Sequence, residues 1–313
     1  MIQQLPMRDG YGKALLELCQ RGEQILVLDA DVAKSTRTVW VREQFPERFL
    51  DMGISEQDMV GTAAGLALSG VTPFVSTYGV FLAGRAWDQI RTTVCYNKLN
   101  VKLAGAHAGI SVGPDGATHQ ALEDVALMRV LPQMTVLVPC DAEETRKATL
   151  AMAERPGPCY IRFGREAVPV ITEADTPFEI GKAQLCRAGE DAAVFANGAM
   201  VYEALQAAET LAGEGISVRV YDLHTVKPLD EEAILNAAAE TGCLVTAEEH
   251  QEAGGMGSAV AELLAKKAPT PLELVAVKDC FGQSGQPGEL MARYGLDCQG
   301  ICAAVRRALA RKK

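Results

Sequence analysis

The stretch FLDMGISEQDMVGTAAGLALSG, residues 49–70, decides the fold because it joins a strand-like run to a helix. Residues 59–69 are apolar or small on every side, a pattern typical of a buried helix. Ser55 and Asp58 have the spacing of a capping box at the start of this helix. Capping does not explain Glu56, because a carboxylate in a buried first turn needs a partner or takes up a proton.

Strand-like and helix-like segments alternate along the rest of the chain. The continuous apolar strands of the first half are QILVLDA (24–30), FLDMG (49–53), TPFVSTY (72–78), VKLAGAH (101–107), MTVLVP (134–139) and CYIRF (159–163). Such strands, separated by helices, predict a parallel sheet that is covered on both faces. This half, residues 1–165, is predicted to be one doubly wound α/β domain.

The composition changes after this first set of strands. Residues 166–190 are rich in Pro, Gly and acidic residues without a sustained period, so we interpret them as a linker. A second alternating set runs from DAAVFANG (191–198) to LELVAVK (272–278). It predicts a smaller doubly wound α/β domain over residues 191–313.

Composition restricts the function classes. The formal net charge of −10 argues against a nucleic-acid or anionic-membrane partner. No apolar run approaches the ~18 residues needed to span a bilayer, and the start MIQQLPMRDG lacks the pattern of a signal peptide. The nine cysteines form no C-x-x-C pair, which favours free thiols. We therefore expect a cytoplasmic protein without a metal site of its own.

Several polar and aromatic residues follow the predicted strands of the first domain, at the edge where open α/β sheets bind ligands. They are Asp31, Ser35, Glu56, Tyr78, Phe81, His107 and Arg165. The loop GISVGPDGATHQ, residues 109–120, adds Asp115 and His119. It lacks the G-x-G-x-x-G spacing and a Walker lysine, so we do not interpret it as a phosphate loop.

Each of these residues also has a simpler structural explanation. Tyr78 and Phe81, three apart, could be core aromatics, and Asp31 could cap a loop. Arg8 and Arg165 could be solvated salt-bridge partners, and two histidines could meet at one edge by coincidence. Their convergence on one sheet edge weakens these separate explanations and favours a functional site.

Three strings carry a resemblance to a known family. DMGISEQDMVGTAAGLALSGVTPFVSTY (51–78), RAWDQIR (85–91) and GAHAGISVGPDGATHQALEDVALMRVLP (105–132) closely resemble the C-terminal half of transketolases. EEHQEAGGMGSAV (248–260) matches more loosely in the second domain. The resemblance implies a pyrimidine-binding domain followed by a transketolase C-terminal domain, with thiamine diphosphate as cofactor.

The resemblance also supplies a partner for Glu56. In transketolases this carboxyl group hydrogen-bonds nitrogen N1′ of the thiamine aminopyrimidine and favours the tautomer that activates the thiazolium carbon. The cofactor then holds the electrons that are released when a ketose is cleaved. Glu56 is thus expected to be catalytic and cofactor-binding.

The resemblance also assigns other cofactor contacts, each at a matching position of this sequence. Tyr78 and Phe81 match the aromatics that flank the pyrimidine, and Asp31 falls on an aspartate close to the cofactor. The segment FLAGRAW (81–87) is one residue longer than common forms, so a third aromatic contact cannot be placed.

Substrate positions follow from the same resemblance. His107 and His119 match catalytic histidines placed against the sugar oxygens, where a near-neutral pKa suits proton transfer. Asp115 matches the aspartate that binds a sugar hydroxyl. The sugar phosphate is expected to be held by Arg8, Ser35 and Arg165.

Transketolases bind the diphosphate and its Mg²⁺ through a G-D-G motif in a preceding domain. No G-D-G string occurs in this sequence. The resemblance is therefore to one half of a split transketolase. It implies a partner subunit that carries the diphosphate-binding half and the Mg²⁺ ligands, in an α2β2 assembly acting on sugar phosphates.

Two alternatives remain open at this point. One is the β-type subunit of a 2-oxo acid dehydrogenase, or a deoxyxylulose-phosphate-synthase-like half, which shares the element around Glu56. The other is a non-catalytic α/β binding module, in which GGMGS (254–258) would serve a nucleotide. That module would leave Glu56, His107 and His119 without a role.

Overall fold

The computed structural model describes residues 2–312. Its strands are β1 (Gln4–Pro6), β2 (Ile25–Asp29), β3 (Phe49–Asp51), β4 (Thr72–Tyr78), β5 (Lys102–Ala106), β6 (Thr135–Leu137), β7 (Cys159–Arg162), β8 (Ala167–Pro169), β9 (Gln184–Arg187), β10 (Ala192–Ala196), β11 (Val218–Asp222), β12 (Thr225–Lys227), β13 (Leu244–Gln251) and β14 (Leu272–Val277).

Helices alternate with these strands. They are α1 (Met7–Gln20), α2 (Ala33–Thr36), α3 (Val39–Gln44), α4 (Glu56–Leu68), α5 (Gly79–Arg85), α6 (Trp87–Gln89), α7 (Asp124–Arg129), α8 (Ala142–Glu154), α9 (Met200–Ala212), α10 (Glu231–Thr241), α11 (Met256–Lys267), α12 (Pro287–Arg293) and α13 (Cys298–Ala310). Short 3₁₀ segments cover Pro46–Arg48 and Ile110–Asp115, and a π-helical segment covers Ile90–Cys95.

A seven-stranded sheet with the order β12-β6-β7-β5-β4-β2-β3 forms the centre of the first half. All its pairs are parallel except β12 with β6. Every residue of β5 is buried, as expected for a strand covered by helices on both faces. The parallel sheet predicted from the apolar runs is confirmed, but its edge strand β12 comes from the second half of the chain.

The second sheet has the order β14-β13-β10-β11-β9, with β9 as an antiparallel edge strand. Helices α9 and α13 pack on it and enclose a core of small and branched apolar residues. Two short strands, β8 and β9, lie within the predicted linker, and β8 pairs with β1 at the start of the chain.

Helix α4 differs from its sequence prediction in two respects. The Ser55 hydroxyl donates to the Met52 carbonyl oxygen at 2.7 Å and caps no helical N–H, so the capping-box interpretation is wrong for this residue. Gly61 and Leu68 are exposed, so the helix is not buried on every side. Its opposite face packs into the core, and Glu56 is only 2% exposed.

Candidate active site

Glu56 opens α4 and has a partner that the sequence reasoning missed. The Nη1 atom of Arg85, the last residue of α5, lies 3.0 Å from each Glu56 carboxylate oxygen. The same guanidinium lies 4.7 Å from the ring centroid of Phe81. A buried carboxylate demands a counterion, so an arginine in the neighbouring string RAWDQIR was the available signal.

Four of the predicted residues form one contiguous ring cluster. Tyr78, at the end of β4, stacks on His107, which follows β5, with ring centroids 4.4 Å apart. Phe81 lies edge-on to His119 at 5.3 Å and is 6.0 Å from Tyr78. The Tyr78 hydroxyl donates to the Ser35 hydroxyl at 3.1 Å. Because β4 and β5 are adjacent parallel strands, their carboxyl ends bring these side chains together.

His107 is held in a strained and buried position. Its φ of 53° is left-handed, which is uncommon outside glycine and often marks a functional site. Burial, followed by the charges of Arg8 and Arg165, lowers the pKa of His107 to about 3. The expected near-neutral pKa is therefore wrong for His107, which stays a neutral ring at physiological pH. Its Nδ1 atom has no hydrogen-bond partner among residues 2–312.

The predicted phosphate-binding residues adjoin this ring. Arg8 Nη1 donates to the Ser35 carbonyl oxygen at 3.2 Å and lies 3.4 Å from His107 Nε2. Arg165 Nη1 lies 3.2 Å from an Asp115 carboxylate oxygen, so two predicted sugar contacts pair with each other. Arg8 Nε is buried and has no hydrogen-bond partner in the described part of the chain, residues 2–312.

Asp31 is not joined to this cluster. It is exposed, its φ is 59°, and its backbone N–H donates to an Asp51 carboxylate oxygen at 3.2 Å. Asp29, two residues earlier, is the buried acid of this strand end. Burial raises the pKa of Asp29 to about 6, although hydrogen bonds from Thr38 and Thr36 oppose the shift.

These groups fit an aminopyrimidine. Glu56 offers a carboxylate, Phe81 and Tyr78 offer ring faces, and a flat cation already lies against two of these surfaces. Arg8 Nε and His107 Nδ1 are buried beside this site without a hydrogen-bond partner among residues 2–312, so a substrate oxygen would gain hydrogen bonds there once neighbouring groups move aside.

Comparison with known proteins decides the family. The profile of the transketolase pyrimidine-binding domain matches residues 3–170, and that of the transketolase C-terminal domain matches residues 181–301. The chain belongs to the transketolase family.

Relatives of similar length support the same assignment. A putative transketolase C-terminal section of Methanocaldococcus jannaschii is 44% identical over 302 residues, covering 96% of this chain and 95% of that protein. A 6-deoxy-6-sulfo-D-fructose transketolase subunit of Clostridium sp. is 42% identical over 306 residues, covering 98% and 95%. A solved split-gene transketolase, described as an inactive β4 tetramer, matches with a TM-score of 0.93 and 49% identity, covering 99% of this chain and all of that one.

These comparisons confirm the predicted resemblance and the α/β fold class. They make the chain a subunit of a thiamine-diphosphate-dependent transketolase, and they do not favour the 2-oxo acid dehydrogenase or deoxyxylulose-phosphate-synthase-like alternative. The family implies thiamine diphosphate as the cofactor.

The nucleotide-binding alternative also conflicts with the geometry of this transketolase chain. The backbone N–H groups of Met256 and Gly257, at the start of α11, donate to the Glu248 carboxylate at 2.8 and 2.7 Å. Glu248 is 1% exposed, so the protein's own anion fills the helix N-terminus that a phosphate would need.

The second half of the transketolase chain supports the loop at residues 109–120. Glu249, on β13, accepts a hydrogen bond from the Ser111 N–H at 3.0 Å, and Gln120 Nε2 donates to the Gln283 carbonyl oxygen at 3.0 Å. Gly109 has φ 90°, and a Cβ there would lie 2.4 Å from a Glu249 oxygen. Glycine is therefore required where the loop meets Glu249.

A second buried acidic group lies between the two halves of the chain. Potential ligand atoms of Cys140, Glu144 and Asp222 lie within 4.8 Å of one another. Within the described residues, 2–312, neither Asp222 oxygen has a hydrogen-bond partner. Burial, followed by the neighbouring Glu144, raises the pKa of Asp222 well above its ordinary value, which favours the protonated acid.

All nine cysteines are free thiols. Among residues 2–312, no helix combines the length and apolar character needed to cross a membrane.

Proposed function

We propose that this chain is the pyrimidine-binding subunit of a split transketolase that moves a two-carbon ketol unit from a ketose phosphate to an aldose phosphate. The observation that carries the proposal is that the buried Glu56 carboxylate is linked through Arg85 to the ring face of Phe81, which lies 6.0 Å from Tyr78. A carboxylate and flat ring faces are what an aminopyrimidine needs. The free thiols agree with a cytoplasmic enzyme.

Each residue has a distinct role in this proposal. When bound, thiamine diphosphate supplies a carbon nucleophile for the ketose carbonyl and a sink for the electrons of C–C cleavage. Glu56 shares a proton with the pyrimidine nitrogen, while Phe81 and Tyr78 flank the ring and exclude water. His107, held neutral, hydrogen-bonds a substrate oxygen, and His119 stands ready to move a proton at the reacting hydroxyl.

The anionic end of the substrate would contact the two arginines Arg8 and Arg165. Arg8 and Arg165 are both near enough to His107 for their charges to lower its pKa. Ser35 adjoins Arg8, and Asp115 binds a sugar hydroxyl once it separates from Arg165. A sulfonated sugar is the second candidate, because one relative is a sulfofructose transketolase subunit and a sulfonate matches the same cations.

A partner subunit completes the site by supplying the diphosphate and Mg²⁺ ligands, in an α2β2 assembly. The inactive β4 state of the similar split-gene transketolase supports this dependence. The partner would cover the outer face of α4, where Leu68 is 76% exposed and a Cβ on Gly61 or Gly65 would meet open space. Ile54, just before the helix, is 77% exposed and extends this apolar surface.

Reconstitution tests the proposal. The chain is purified alone and together with the complementary half, and ketol transfer is assayed with thiamine diphosphate and Mg²⁺. We expect activity only in the mixture, and full transfer by this chain alone would refute the split-subunit proposal. Glu56→Gln in the complex should lower turnover by roughly two or more orders of magnitude while the fold persists. Unchanged turnover would remove Glu56 from the mechanism.

A further inference from the structure

Arg85 occupies two surfaces that the proposed function assigns to the cofactor. Its Nη1 atom bridges both Glu56 oxygens at 3.0 Å, and its guanidinium carbon lies 4.7 Å from the centre of the Phe81 ring. One side chain thus neutralises the buried acid and covers the neighbouring aromatic face. Arg85 is otherwise half exposed, with 50% of its side chain accessible.

A guanidinium and an aminopyrimidine share the features that matter at these surfaces. Both are flat and delocalised, both direct N–H donors at a carboxylate, and both stack against aromatic rings. The two groups cannot occupy the same Glu56 oxygen and the same face of Phe81 together. Cofactor binding therefore requires the Arg85 side chain to leave at least one of these contacts.

We propose that Arg85 is an internal placeholder for the aminopyrimidine, which neutralises Glu56 and covers Phe81 in the cofactor-free chain and is displaced by thiamine diphosphate. This inference rests on the proposed function, because that function names Glu56 and Phe81 as cofactor contacts. Arg85 is the last residue of α5, and its exposed half gives the side chain a route to solvent.

The isolated chain provides a first test that needs no cofactor. Arg85→Met removes the cation and leaves Glu56 buried without a countercharge, so proton uptake by the folded chain becomes favourable. The unfolding free energy of this variant should then fall as pH rises above about 5, just above the ordinary pKa of a glutamate side chain. The double variant Arg85→Met/Glu56→Gln should lose this dependence.

Arg91→Met is the matched control for the isolated chain. Arg91 also pairs with an acid, Asp88 at 3.8 Å, and lies 5.9 Å from the ring centroid of Trp87, but both charged partners are exposed. Its removal should leave the pH profile as in the wild type. If Arg85→Met and Arg91→Met give the same profile, Arg85 does not neutralise Glu56 and the inference is wrong.

Cofactor binding to the reconstituted complex is the second test, measured as the Kd for thiamine diphosphate by calorimetry. Removing the competitor raises the fraction of open sites, so Arg85→Met should lower Kd by about tenfold. Arg85→Lys, which keeps one charge but loses the flat bidentate group, should lie between Arg85→Met and the wild type and guards against a folding defect. If the wild-type complex binds thiamine diphosphate and Arg85→Met does not lower the Kd, the placeholder inference is wrong and the proposed function stands. A wild-type complex that binds no thiamine diphosphate overturns the proposed function and the placeholder together.

Discussion

His107→Asn should flatten the loss of stability of the isolated chain in mild acid. Burial, followed by the charges of Arg8 and Arg165, lowers the pKa of His107 to about 3 in the folded chain, whereas an unfolded histidine has a pKa of about 6.5. Between these values the unfolded state binds the extra proton. The stabilisation from the neutral ring is therefore fully present above pH ~6.5 and is lost as pH falls toward ~3.

The size of this effect follows from linkage. Within the window each pH unit changes the unfolding free energy by about 1.4 kcal/mol for one group. Between pH 6.5 and pH 5 the His107 contribution is then about 2 kcal/mol, and it reaches about 5 kcal/mol at full protonation as an upper limit. Asparagine suits the test because it tolerates the left-handed backbone of φ 53° and does not titrate.

Urea unfolding of the isolated chain at pH 5.0, 6.0 and 7.5 measures the difference. The wild type should lose about 2 kcal/mol more than His107→Asn between pH 7.5 and pH 5.0. Arg8→Met serves as a graded control, because removing this charge should raise the pKa of His107 and so end the loss of stability at a higher pH than in the wild type. Parallel pH profiles of the wild type and His107→Asn would refute the assignment of a buried neutral ring.

Three further predictions concern other parts of the chain. Arg165→Ala should raise KM for phosphorylated sugars in the reconstituted complex far more than for unphosphorylated ones, and an equal rise for both contradicts the phosphate assignment. Burial raises the pKa of Asp222, so its bound proton stabilises the fold at acidic pH, and this contribution is lost as pH rises above ~3.9. Asp222→Asn should therefore reduce the decrease in melting temperature with rising pH, measured by calorimetry. Gly109→Ala, with φ 90° and a Cβ 2.4 Å from Glu249, should cost about 1–3 kcal/mol in urea unfolding. Gly157→Ala has the same φ but open space around its Cβ, so an equal cost for both variants would disprove the clash.

Local sequence was sufficient to predict the parallel sheet and the ring cluster. The strands are continuous apolar runs, and adjacent parallel strands place their following residues at one edge, which brings Tyr78 next to His107. The antiparallel edge strand β12 could not be predicted in this way, because it is short and belongs to the first sheet while it lies in the second half of the sequence. The exposed face of α4 was also missed, since a run of small and apolar residues predicts a buried helix whether or not a neighbouring element covers it.

The ion pairs and hydrogen bonds that build the site could not be predicted from local sequence patterns, because each joins residues that are far apart in the sequence. Arg85 and Glu56 are 29 residues apart, Arg165 and Asp115 are 50 apart, and Ser111 and Glu249 are 138 apart. Motif spacing identifies which residue types are present, but the partner of a charge depends on the tertiary fold. For the same reason the pKa of His107 could not be predicted from its residue type, since burial and the nearby arginines lower it.

The polar groups of the site are of two kinds. Some are already paired within the chain and must exchange that partner for a ligand, whereas others have no partner among the described residues and gain one when a ligand binds. Glu56 must release Arg85, and Asp115 must separate from Arg165, before either can hold a ligand. Exchange of one charge-assisted hydrogen bond for another contributes little net free energy, whereas satisfying a buried polar atom removes a penalty of about 1–3 kcal/mol. The atoms of this second kind are Arg8 Nε and His107 Nδ1, which are buried without hydrogen-bond partners in the part of the chain that the structure describes. Substrate affinity in the proposed transketolase should therefore depend more on Arg8 and His107 than on the more exposed Arg165.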